Sequence, residues 1–300
     1  MKRILVIGGT GFIGYHVIKE AKKRGIATYS VSLNNPKKKR FVKGVKYIKV
    51  DVTKTEDIKN KINKNYDYVI NAGGYGSHPD FGKKGDTLIK SHFLGLINIL
   101  ETLKKKKLKK FVQIGSSAEY GNINAPIKET AYGYPQTPYA IAKLSCTKFL
   151  LHLYLTQKFP VVILRLFQVY GSNQATDKIL PFLIKNCKKN KKFLTTSGKQ
   201  YCDFCHIDDV VNAIFKSLFT KKTSGEIFNI GSGKKVQIEY LIKLVKKLIG
   251  KGKPILGGIK YKKGTNMMNF PNINKAKSKL NWKPKISLME GLQKTIASFK

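Results

Sequence analysis

The feature that most constrains this chain is a run of glycines set between two opposite patterns. Arg3 to Gly8 is a short apolar run, and Phe12 to Arg24 carries Ile13, Val17 and Ala21 at helical spacing. Gly8-Gly9-Thr10-Gly11 joins them, and Gly14 follows one turn into the helix. Glycines at 8, 11 and 14 permit a tight turn, close approach of backbone to a bound group, and close packing of helix on strand. The helix N-terminus then faces whatever lies over the turn, an arrangement that suits an anion such as a pyrophosphate. At the end of a first strand, the pattern predicts a dinucleotide site built from Gly8, Thr10, Gly11, Phe12, Ile13 and Gly14.

The alternation continues beyond that loop. Ile26 to Leu33, Val45 to Val50, Tyr66 to Asn71, Phe111 to Ile114 and Val161 to Phe167 read as short apolar strands. Thr87 to Lys107 and Tyr139 to Gln157 read as helices, the first with Leu88, Phe93, Leu96, Ile97, Leu100 and Leu103 along one side. Apolar strands separated by helices predict a doubly wound parallel α/β sheet, buried on both faces. Past Gly171 the pattern loosens. Ile179 to Lys189, Asp208 to Phe219 and Ile238 to Ile249 look helical, Ile227 to Asn229 is a short strand, and the tail from Lys251 is rich in Lys, Gly, Asn and Pro. The expected division is a nucleotide-binding domain over residues 1–170 and a smaller mixed α/β lobe over 171–300, with segments near 201–232 completing the first.

The second strand ends Ser30-Val31-Ser32-Leu33-Asn34, without the Asp or Glu that would bind a ribose 2′-hydroxyl. Ser32 can donate to a 2′-phosphate, and Lys37, Lys38, Lys39 and Arg40 follow, so NADP is favoured over NAD. Asp51, beside Val52 at the end of the third strand, is expected to contact adenine or to cap the next helix.

Tyr139-Ala-Ile-Ala-Lys143 places a phenol and an ammonium one helical turn apart on one face. A nearby cation favours phenolate, so the phenol is suited to exchange a proton with a carbinol/ketone pair. Upstream, the strand Phe111 to Ile114 runs into Gly115-Ser116-Ser117-Ala118-Glu119-Tyr120-Gly121. A serine at the carboxyl end of a sheet strand stands where such folds bind ligands, and it can hold the reacting oxygen.

Charge points elsewhere at first. The 300 residues hold 58 Lys+Arg against 17 Asp+Glu, a net +41, which invites a nucleic-acid partner. All but four of those cations are lysine, spread along the chain, whereas base readout leans on arginine. A solvated lysine surface is therefore expected, with no nucleic-acid partner. No apolar run of about 18 residues spans a membrane, and the basic start has too short an apolar core for a signal peptide. The four scattered cysteines (146, 187, 202, 205) favour a reducing, cytoplasmic setting. Cys202-Asp-Phe-Cys205-His206 has haem-attachment spacing, but that chemistry needs export, and no further zinc ligands follow nearby, so no metal is expected.

Taken together, Gly-Gly-Thr-Gly-Phe-Ile-Gly, Ser-Ser-Ala-Glu-Tyr-Gly and Tyr139/Lys143 resemble the extended short-chain dehydrogenases/reductases, the sugar-nucleotide epimerase/dehydratase group. The resemblance runs on through Arg165-Leu-Phe-Gln-Val-Tyr-Gly171, Cys202 to Asp209, Phe228-Asn-Ile-Gly-Ser-Gly233 and Lys275 to Pro284. It implies a Rossmann domain binding NAD(P), a C-terminal lobe gripping a nucleotide sugar, hydride transfer at C4, and a homodimer through the helices from Thr87 and Tyr139. Carried over, Tyr139 is the acid/base, Lys143 holds the nicotinamide ribose, and Ser117, with Ser116 as runner-up, polarises the sugar oxygen. Ala72 and Gly73 belong to a loop beside the nicotinamide, and Glu119, Gln168 and His78 are candidate substrate contacts, with Glu119 equally a candidate for a buried structural carboxylate.

Four places depart from the family pattern, one of them Cys202, where Arg is frequent before Asp203. Ala118 replaces the first of an acid pair common in dehydratases, which disfavours water elimination and makes the motif more like that of 4-ketosugar reductases. Gln168 stands where Asn is frequent, and Ser91-His92 where a helix usually carries Asn. A 4-keto-sugar-nucleotide reductase is the leading expectation; 4-epimerase, dehydratase and a non-catalytic nucleotide sensor are the alternatives. An intact Ser/Tyr/Lys set speaks against the sensor.

Overall fold

The computed structural model describes residues 2–62, 64–76, 79–82, 84–262 and 264–299. Its centre is one parallel sheet of seven strands: β1 (Arg3–Ile7), β2 (Ala27–Ser32), β3 (Lys46–Lys49), β4 (Tyr68–Asn71), β5 (Lys110–Ser116), β6 (Val161–Leu166) and Glu226–Ile230. Their spatial order is Glu226–Ile230, β6, β5, β4, β1, β2, β3. The order reverses between β1 and β4, whose register sets Ile7 against Asn71. Chain leaving the carboxyl ends of these two neighbours departs to opposite sides, which opens a crevice above them.

Both faces of the sheet are covered, as the apolar strands require. On one face, Val17, Ile18 and Ala21 of α1 (Phe12–Lys23) and Val210, Ile214 and Phe215 of helix Ile207–Phe219 pack on Ile4, Val6, Val112 and Leu164. On the other, Ile58 of α2 (Thr55–Lys61), Leu96 and Ile99 of α4 (Gly95–Thr102), and Cys146 and Leu150 of α5 (Pro138–Gln157) pack on Leu5, Val69, Phe111 and Ile163. Each such side chain, fully buried, stabilises by roughly 1.5–3 kcal/mol.

Two helical expectations are revised. The helix expected over Thr87 to Lys107 is α3 (Gly85–Ile89), a π-helical turn over Lys90–Leu94, and then α4. It stops at Thr102, because Lys104 to Lys107 offer no apolar anchor and like charges three and four apart repel. Helix α2, expected after Asp51 but without bounds, is seven residues long and buries one side chain, Ile58; Lys54 and not Asp51 takes its cap position.

The second half of the chain contributes to both regions. Strand Glu226–Ile230 pairs with β6 and closes the large sheet. A separate core gathers Leu180, Leu183 and Ile184 with Leu241, Val245 and Leu292 from helices Ile179–Lys188, Ile238–Ile249 and Leu288–Ser298. The lysine-rich tail is pinned to the rest of the fold. Trp282 is buried and donates to the Asp209 carbonyl at 3.0 Å, while the Asp209 carboxylate accepts from the Lys285 and Ile286 amides at 2.9 Å. Among the described residues no helix is long and apolar enough to cross a membrane.

Candidate active site

A cleft of about 550 Å³ lies over the carboxyl ends of β1, β4, β5 and β6. Its lining joins Gly11, Phe12 and Ile13 of the first loop, Ala72 to Gly76 after β4, Ser116 and Ser117 after β5, and Tyr139 and Lys143 of α5. Gln168 also faces it, and Asn266 and Asn269 reach it from the tail.

The first loop is shaped by close backbone contacts. Gly8 has φ +77°, and a Cβ there would stand 2.7 Å from the Ala72 carbonyl oxygen. A Cβ on Gly14 would stand 2.2 Å from the Gly8 carbonyl oxygen. Gly11 caps α1 without a side-chain hydrogen bond, so the first-turn amides stay available to a ligand. The residues present thus fit a dinucleotide pyrophosphate: a cradle without side chains at a helix N-terminus. Thr10 donates its amide to Ser32 Oγ at 3.2 Å, and its carbonyl accepts from Arg40 Nη1 at 3.0 Å. Arg40 also bonds the Asn173 carbonyl at 2.5 Å, so this one member of the basic run reaches the loop while Lys37, Lys38 and Lys39 stay exposed. Asp51 Oδ1 accepts from the Thr53 amide at 3.0 Å and its hydroxyl at 2.7 Å, and the Val52 carbonyl accepts from Asn98 at 3.0 Å. Asp51, Val52 and Ser32 lie outside the cleft lining, toward the β2–β3 side of the sheet.

The Tyr-Lys pair sits in the first turns of α5. Thr137 Oγ1 accepts from the Ala140 amide at 3.2 Å, and Pro138 takes the first helical position, where its missing N–H costs nothing. Lys143 is buried and donates Nζ to the Ile114 carbonyl at 2.9 Å, 5.9 Å from the Tyr139 ring centroid. The carbonyl at the end of β5 therefore sets the ammonium beside the phenol.

The two serines are distinguished by local bonding. Ser116 Oγ accepts from the Ala118 amide at 3.2 Å, and the Ser116 amide donates to Glu119 Oε1 at 2.8 Å, a reciprocal cap on the short turn Ser117–Tyr120. Ser117 has no such duty; its Oγ lies 3.5 Å from Asn269 Nδ2.

For Glu119 the structure places the side chain away from a substrate: of the two readings, substrate contact or buried structural carboxylate, its surroundings fit the second, since it is 2% exposed and does not line the cleft. Its Oε2 accepts from Arg165 Nε at 2.7 Å and from Thr147 Oγ1 at 2.8 Å. The side chain neutralises the one arginine in β6 and ties β5, β6 and α5 together. A buried cation demands that partner. His78 lies outside the described residues. His206 is buried, and burial lowers its pKa; its Nδ1 accepts from the Asp208 amide at 3.3 Å at the start of helix Ile207–Phe219. Cys202 and Cys205 are unpaired thiols, and burial raises the pKa of both.

Asn266, Asn269 and His92 of the cleft carried no role in the sequence reading; His92 lies in the π-helical turn. Its ring meets the Tyr139 ring edge-on, with centroids 5.4 Å apart and planes at 77°. Burial, and then the Lys143 charge, push its pKa down to about 3. The available signal was a histidine at a position where the resembling family carries Asn, opposite a loop with three glycines, 73, 74 and 76.

A model of the NAD dependent epimerase/dehydratase family matches residues 4–231. The chain is 30% identical to a UDP-glucuronate 4-epimerase of Thermodesulfobacterium geofontis, covering 97% of this chain and 94% of that protein. It is 27% identical to the dTDP-D-glucose 4,6-dehydratase of Homo sapiens, over 100% of this chain and 90% of that one. Among solved structures, a mutant UDP-glucuronic acid 4-epimerase from Bacillus cereus, in complex with a UDP-sugar analogue and NAD, superposes with a TM-score of 0.90 at 27% identity, covering 99% of this chain and 98% of that one.

Proposed function

Because the chain belongs to the NAD-dependent epimerase/dehydratase family, we propose that it oxidises and reduces C4 of a nucleotide-linked sugar, as a 4-epimerase. The observation that carries this is the shared cleft: the dinucleotide loop, Ser117, Tyr139 and Lys143 all line one cavity. A nicotinamide dinucleotide held over Gly11 to Ile13 supplies reversible hydride exchange with a carbinol carbon. Tyr139 takes the proton from the C4 hydroxyl as the carbon is oxidised and returns it on reduction. Lys143, set by the Ile114 carbonyl, keeps a positive charge beside the phenol so that it can give up and regain that proton. Ser117 donates to the same sugar oxygen and holds it still. Gln168, Asn266 and Asn269 offer neutral amides to sugar hydroxyls across the cleft.

Two of the three named relatives are 4-epimerases and one is a dehydratase, whereas Ser-Ser-Ala-Glu-Tyr-Gly favours a second reading, net reduction of a 4-ketosugar. Among the described residues, Ala118 and the internal ion pair of Glu119 leave the cleft lining without the acid that water elimination would use. For the cofactor we propose NADP over NAD. Ser32 Oγ accepts from Thr10, which leaves its own proton to donate, and no carboxylate stands at the end of β2 to repel a phosphate. A second copy of this chain is the proposed partner, since Leu94, Ile141 and Leu155 are 41%, 50% and 68% exposed on the π-helical turn and α5; sedimentation of the purified protein tests this.

The decisive assay presents UDP- and dTDP-linked sugars with each dinucleotide. Interconversion of C4 epimers without net dinucleotide consumption marks an epimerase, and stoichiometric consumption marks a reductase. Tyr139→Phe is expected to lower turnover at least about 100-fold while dinucleotide binding persists; full activity in that variant refutes the assignment.

A further inference from the structure

Four observations converge on His92. First, it lies inside the π-helical turn Lys90–Leu94, a rare local geometry that is frequent at functional sites. That turn leaves the His92 carbonyl able to accept from Cys146 Sγ of α5 at 3.4 Å. Second, its Nε2 lies 3.0 Å from the Tyr75 carbonyl oxygen. A carbonyl only accepts, so in the neutral ring Nε2 carries the hydrogen and Nδ1 is bare. Third, the ring fills the space over Gly74: at φ +100°, a Cβ there would stand 2.0 Å from His92 Cε1. Fourth, the ring meets Tyr139 edge-on, as quoted above.

These contacts make one side chain touch both pieces that border the reacting centre. The loop Ala72 to Gly76 is held through Tyr75 and Gly74, and the start of α5 is met at Tyr139; the bond from Cys146 goes to the His92 backbone carbonyl and not to its ring. A smaller amide in the same place would reach neither the face of Gly74 nor the edge of the phenol. The titratable groups around it are Tyr139, Lys143 and Cys146, all on α5.

On the premise that Tyr139 exchanges the substrate proton, we propose that His92 is a positioning residue that fixes the Tyr139 phenol and the Ala72–Gly76 loop in one arrangement, and that Gly74 is glycine to admit its ring.

Two measurements test this, one of them without turnover. In ¹⁵N-histidine spectra, the signal lost in His92→Asn is expected to show the Nε2–H tautomer and no titration between about pH 5 and 8. A titration midpoint near 6.5 overturns the proposal even if the substrate is never found. With a substrate in hand, His92→Asn is expected to lower kcat by about 10- to 100-fold. The Michaelis constant and dinucleotide affinity should stay within about threefold, and the pH-rate limb abolished by Tyr139→Phe should move. His92→Phe, which keeps the ring edge against Tyr139, is expected to recover part of kcat. Unchanged kcat, an unmoved limb, or a Phe variant no better than Asn overturns it. If Tyr139→Phe is itself fully active, the assignment of Tyr139 fails, and the spectra still decide the state of His92.

Discussion

Two glycine-rich loops border the cleft, and their glycines answer to different neighbours. In Gly8 to Gly14 the obstacles at Gly8 and Gly14 are backbone, the Ala72 carbonyl for the first and the Gly8 carbonyl for the second, while Gly9 faces the Ser30 side chain. In Ala72 to Gly76 the obstacle at Gly74 is the His92 ring. Backbone cannot be exchanged, so Gly8 and Gly14 are fixed points of the cradle. A side chain can be exchanged, so the second loop is shaped at Gly74 by a residue 18 positions downstream.

Substitution at each loop should separate the two cases. Gly14→Ala is expected to have the largest effect, because neither Gly8 O nor Gly9 Cα, 2.2 and 2.7 Å from the added methyl, can rotate away. Overpacking of this kind costs about 3 kcal/mol, seen as a lowered urea midpoint, and dinucleotide titration should show a large loss of affinity. A variant that binds the dinucleotide normally would mean that this turn is not the cradle.

Gly74→Ala should cost roughly 2 kcal/mol, part from the left-handed backbone and part from displacing the ring. The second part disappears if His92 is also replaced. Gly74→Ala with His92→Asn should therefore be more stable than the two single losses sum to, by about 1 kcal/mol. Strict additivity in a urea double-mutant cycle would break the claimed difference between the loops.

The contrast also explains what could be read in advance. Gly8 to Gly14 and Tyr139/Lys143 are local patterns, complete within one turn or one helix, and the β-α alternation needs only short apolar runs. Glu119 was left between two readings because its partner, Arg165, lies 46 residues away on the neighbouring strand. The tail from Lys251 looked irregular because its anchor, the Asp209 carboxylate, is 76 residues from the Lys285 amide it binds. Helix α2 has too few apolar residues to show a period. His92 is polar and sits in a broken helix; only the fold makes it buried, and only burial makes it informative.

That burial has a consequence in acid. The unfolded chain protonates His92 near the ordinary 6.5, whereas the folded chain resists until about 3. The stability is thus complete above about pH 6.5 and falls as the pH drops toward the folded value, because the unfolded state takes the proton first. Between pH 7 and 5 this group alone should remove about 2 kcal/mol. Comparing wild type with His92→Asn isolates it from His16 and His206, whose pKa values burial also lowers. Parallel stability curves for the two proteins would show that His92 is not held neutral.

The smallest expected effect lies at the far edge of the first loop. Ser32 Oγ accepts from the Thr10 amide at 3.2 Å, one of the few side-chain contacts that the cradle has. Ser32→Ala removes it at a cost of about 1 kcal/mol. If the fixed cradle is maintained by backbone alone, NAD affinity should fall no more than a few-fold. NADP affinity should fall further, because the hydroxyl is then missing as a donor to the 2′-phosphate. Equal losses for the two dinucleotides would remove Ser32 from the choice and leave Arg40, already engaged with the Thr10 and Asn173 carbonyls, as the side chain next to be replaced.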